Sequence, residues 1–64
     1  MTQKMVTFTV LMTDLQAESL AQFVKRIKWS DIRQLSAGDD ESDRMQQALI
    51  AVQRALEGVG YDPR

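Results

Sequence analysis

Apolar positions along the chain fall into two periods. From Met5 to Met12 they alternate, with Val6, Phe8, Val10 and Met12 set against Thr7 and Thr9. A period of two in β-branched and aromatic residues predicts a strand over about 5–12, with Leu11 breaking the alternation near its end. Beyond it the spacing lengthens. Leu15, Leu20, Phe23, Val24 and Ile27 predict a helix over about 14–28, opened by the capping box Thr13-Asp14-Leu15-Gln16. Trp29 and Ser30 interrupt that pattern, and Ser30 is a candidate N-cap for a short helix over about 31–35 that buries Ile32 and Leu35. The stretch Ser36-Ala-Gly-Asp-Asp reads as a turn in which Gly38 can take positive φ. Met45, Leu49, Val52 and Leu56 then recur in steps of four, three and four, the longest amphipathic run in the chain. They predict a helix over about 41–57, capped by Asp39 or Asp40 and closed by Gly58 at C′, with Val59 in the contact that follows such a cap. Pro63 excludes helix from the last residues.

The expected fold class is therefore α+β and mostly helical: one N-terminal strand, a helix, a short helix and a long C-terminal helix, in a single small domain over residues 1–64. No second strand is visible. A lone strand leaves a row of N–H and C=O groups without partners. Pairing with the same strand of another copy, which would close a homodimer, is the preferred solution. A fold-back of the first residues, or an extended arm lying on the helices, would also serve.

Composition narrows the function. A chain of 64 residues buries only about 60% of its unfolded surface, so its core is marginal and self-association would help it. The chain has no histidine and no cysteine, which removes Ser-His-Asp and Cys-His catalysis, disulfides and the usual zinc sites. The three glycines sit at predicted turns and form no phosphate-binding loop. No apolar run approaches the roughly 18 residues of a membrane span, and Met5 to Met12, broken by Thr7 and Thr9, is no signal peptide. A non-enzymatic cytoplasmic protein with no metal and no cofactor is expected.

A net charge of −1 gives no global pull toward nucleic acid or an anionic membrane, but the charges are clustered. Lys25, Arg26, Lys28 and Arg33 hold four of the eight basic residues, and Asp39, Asp40, Glu41 and Asp43 four of the nine acids. Cations ending one helix and anions starting another complement helix dipoles, which is the simpler account of both. The sharper account is that the acids imitate nucleic-acid phosphate and dock in a Lys/Arg groove. Asp39, Asp40, Glu41, Asp43 and Glu57 are then the candidate partner-binding residues. The acidic run lacks the alternating ligands and central glycine of a calcium loop. Trp29 beside the basic cluster could stack on a base, though packing over a helix end is the commoner use, and the neighbouring acids argue against direct nucleic-acid binding. Ile50 either widens the core stripe or is exposed to a partner.

The order strand, helix, helix resembles ribbon-helix-helix repressors, with Lys4, Thr7 and Thr9 at the base-reading positions. The chain departs from that family in its extra short helix and in the carboxylates at the head of its last helix, where the family holds a phosphate. The runs Leu20-Ala-Gln-Phe-Val-Lys-Arg-Ile27, Ser30-Asp-Ile-Arg-Gln-Leu35 and Gly58-Val-Gly-Tyr-Asp-Pro-Arg64 are similar to small acidic proteins of phages and mobile elements. In size and charge these resemble anti-CRISPR proteins. That resemblance implies an inhibitor whose acidic surface blocks the nucleic-acid groove of a CRISPR effector complex. The alternatives are a dimeric DNA-binding regulator and a toxin–antitoxin or assembly subunit whose partner covers the strand and Ile50.

Overall fold

The computed structural model describes residues 3–62; the expectations for Met1, Thr2, Pro63 and Arg64 fall outside them. Three helices follow one another: α1 (Asp14–Arg26), α2 (Trp29–Leu35) and α3 (Asp39–Gly58). Both α1 and α2 pack on α3. The expected α+β class and its strand over 5–12 are overturned. Residues 3–12 are extended, but no strand pairing and no sheet occur among the described residues. The reason is elementary: an alternating segment becomes a strand only when a second segment accepts its hydrogen bonds, and this chain offers none.

The local signals at α1 hold. Thr13 Oγ1 accepts the Gln16 N–H at 3.1 Å, and Gln16 Oε1 accepts the Thr13 N–H at 2.9 Å, the reciprocal pair of a capping box. The helix stops at Arg26, two residues earlier than expected, because Ile27 is extended. The short helix starts two residues earlier than expected. Lys28, not Ser30, is its cap, and the Asp31 carboxylate accepts the Lys28 N–H at 3.0 Å.

The head and tail of α3 also differ from expectation. Gly38 is the cap, and its φ of 179° is extended backbone rather than the left-handed region. Asp39 and Asp40 therefore lie inside the helix. The turn is held instead by Ser42, whose fully buried hydroxyl donates to the Gly38 carbonyl at 3.0 Å and meets the Ser36 hydroxyl. At the other end Gly58 is helical and Gly60 takes the left-handed conformation, with φ of 102°. The Tyr61 N–H reaches the Leu56 carbonyl at 2.8 Å and the Gly60 N–H reaches that of Glu57 at 3.0 Å. These two bonds form a Schellman motif with Gly60 at C′, and they put the Tyr61 ring against Leu56.

The core is thin. Ala17, Ala21 and Leu56 form its centre, with Leu20, Val52 and Tyr61 packed around them, and Val24 and Ile32 are the other buried apolar residues. On α1 the seam is thus Ala17, Ala21 and Val24, small side chains that let α1 come close to α3. Of the bulky residues expected at the core, Leu15, Phe23, Leu35 and Val59 are exposed instead. Trp29 and Ile50 are a little under half exposed.

Candidate binding site

The acidic head of α3 is partly occupied by the chain itself. Arg33 Nη1 lies 2.6 Å from Asp39 Oδ1, and Glu41 Oε1 accepts the Ala37 N–H at 3.0 Å. The Asp39 side chain is still 84% exposed, so the ion pair is a surface one worth at most about 1 kcal/mol. Asp40 and Asp43 are exposed. Arg44 follows Asp40 by four residues, a spacing that brings a cation onto the same face. Glu57 is not part of this group: at 1.5 Å per residue it lies about 27 Å along α3 from Asp39. Four of the five candidate acids are therefore together and the fifth is at the opposite end. Lys25 and Arg26 sit in the last turn of α1, where cations complement the helix dipole, whereas Lys28 is the N-cap of α2. No cluster of three or more metal-ligating side chains occurs among the described residues.

A second feature lies away from the acids. The extended N-terminal arm stands off the helices and leaves a cleft of about 750 Å³ between itself, α1 and α3. Val6, Phe8, Val10 and Leu11 form the arm wall, and Ala48, Ala51 and Ala55 line the opposite wall on α3. The arm's apolar side chains are uncovered: Phe8 is 76% exposed and Leu11 98%. Lys4, Thr7 and Thr9 are exposed on the same arm.

A stripe of bulky residues alone gives no sign of the alanines. Yet 48, 51 and 55 step by three and four, a second helical face beside Leu49, Val52 and Leu56. An α3 that is apolar on two faces has one more seam than α1 and α2 can cover.

At the mouth of the cleft the Tyr61 hydroxyl donates to the Asp14 carboxylate and ties the end of α3 to the start of α1. This hydrogen bond, helped by desolvation and by the negative charges of Asp14 and Glu18, raises the Tyr61 pKa above its ordinary 10.0. The neutral phenol is the form the fold holds. The tie is therefore at full strength below the unfolded pKa and is lost as pH climbs through the raised folded value. The absorbance of this single tyrosine should titrate at higher pH in the native protein than in urea, and Asp14→Ala should return the midpoint toward 10.0. Equal midpoints in native protein and urea would show that the tie does not form.

Residues 1–64 match the model of a family of unknown function, DUF7706. No curated protein and no solved structure matches the chain. No helix among the described residues is long and apolar enough to cross a membrane.

Proposed function

The chain belongs to this family of unknown function along its whole length, and from its geometry we propose that the protein works by binding another polypeptide and not by catalysis. The working surface is the apolar cleft between the N-terminal arm and the α1/α3 pair. One observation carries this reading: an arm of exposed Val6, Phe8, Val10 and Leu11 faces the alanine side of α3 across an open cleft of about 750 Å³. The lack of histidine and cysteine, the residues most used as bases and nucleophiles, supports the non-catalytic part.

A second reading is favoured by the exposure of Asp40 and Asp43 beside Asp39. In it the acidic head of α3 docks on a basic surface, as an anti-CRISPR-type inhibitor of mobile-element origin would in a bacterial cytoplasm. The engagement of Asp39 by Arg33 and of Glu41 by the Ala37 amide weakens that face, so it ranks behind the cleft.

In-cell photo-crosslinking separates the two. A benzophenone amino acid in place of Phe8 should give one discrete protein adduct, while the same probe in place of Asp40 should give none. An adduct from position 40 alone would move the function to the acidic head. No adduct from either position would overturn the binding reading altogether.

A further inference from the structure

We infer that the occupant of the cleft is a second copy of this chain, joined by a two-fold axis that brings the alanine faces of the two α3 helices together while each arm closes over the other copy. This rests on the cleft being the working surface, and it names the partner.

The first support is area. The chain exposes 5801 Å². A folded monomer of its mass should expose about 4,200 Å², so the excess is about 1,600 Å². A standard interface takes about 800 Å² from each partner, and permanent homodimers take more. The surplus is therefore of the size a homodimer removes. The chain is also too extended for a self-sufficient domain, with a radius of gyration of 13.1 Å where about 10.7 Å is expected for 64 residues.

The second support is the backbone. Among the described residues no hydrogen bond involves the main chain of 3–12. Among the described residues the arm's backbone finds no partner and its side chains stay exposed, whereas backbone polar groups in folded proteins are nearly always paired or hydrated.

The third is the chemistry of the walls. The cleft lining carries one formal charge, Asp14, and Tyr61 already binds it. Surfaces that meet and part from foreign partners carry charged rims, whereas permanent homodimer interfaces are more apolar. A ridge, the arm, and a concavity floored by Ala48, Ala51 and Ala55 lie side by side on one chain. A two-fold contact uses each of them twice, which an unrelated partner cannot do. Alanines let helix axes approach to about 8 Å, the short end of helix packing distances. With a net charge of −1 on each copy, self-repulsion is slight.

Light scattering of the purified chain tests this. The wild type should have twice the 7.3 kDa mass of one chain. Ala51→Glu on α3 and Val10→Asp on the arm should each halve the measured mass. Glutamate is a good helix former, so helical circular dichroism should survive in the first variant. Where a variant unfolds instead, the wild-type backbone answers: the benzophenone probe at Phe8 should crosslink purified protein into a dimer, with the attachment mapped to α3 between Ala48 and Val59. A monomeric wild type overturns the inference, and so does a dimer that ignores both substitutions and crosslinks outside α3. If the purified chain is monomeric yet position 8 gives a discrete foreign adduct in cells, the self-pairing is wrong and the binding reading stands. If it is monomeric and gives no adduct, both fall.

Discussion

Leu56→Ala should destabilise the protein by about 2–5 kcal/mol, read as a shift of the urea midpoint in far-ultraviolet circular dichroism. Leu56 is the one large buried side chain at the centre of the core, 8% exposed and packed on Ala17 and Ala21. Its backbone carbonyl also anchors the Tyr61 N–H of the closing turn. Truncation removes the transfer free energy of the side chain and leaves a hole that two alanines cannot fill. A chain of this length has a total stability of only about 3–10 kcal/mol, so about half of it would go. Leu35→Ala is the matched control. Leu35 is 77% exposed and its truncation should move the midpoint very little. Equal effects at both positions would mean that the helices are not docked through Leu56.

The opposite change, at the other side of the same contact, should also be costly. Ala21→Leu adds three carbons to the core beside Ala17 and Leu56, with Ala21 only 5% exposed. Overpacking of this kind costs about 1–3 kcal/mol, because the helices must part or the new side chain must leave its preferred rotamer. Ser19→Leu, two residues earlier and exposed on the same helix, should stay within about 0.5 kcal/mol of the wild type. A stabilising Ala21→Leu would show that the seam is loosely packed and that bulk, not closeness, limits it.

Two positions show why some of this was legible in the sequence and some was not. Thr13 and Gln16 signal the start of α1 within four residues, and the observed bonds are those the spacing requires. The apolar pattern of 5–12 is as clear a signal, yet it misled. Alternation reports that an extended segment has two unlike faces; it does not report whether anything pairs with it. The stripe on α1 failed for a related reason. Leu15 with Phe23, and Ala17 with Ala21 and Val24, are two separate stripes at helical spacing, but which of them is buried depends on the rotation of α1 against α3, and the seam fell on the second. The candidate acids divide in the same way. Their clustering at the head of α3 is plain in the sequence, while the claim of Arg33 on Asp39 needed α2 to be placed against α3.

By itself the sequence determined where the helices lie to within a few residues, the capping box that opens α1, and an inventory of side chains without histidine or cysteine. These are local matters, because a helical hydrogen bond spans four residues and a cap three. The tertiary structure alone decided which helix faces are buried, that the N-terminal segment finds no hydrogen-bond partner among the described residues, and that α3 keeps a second apolar face open. Those outcomes depend on groups far apart in the sequence meeting at a given angle and distance, and no short window of residues contains that information.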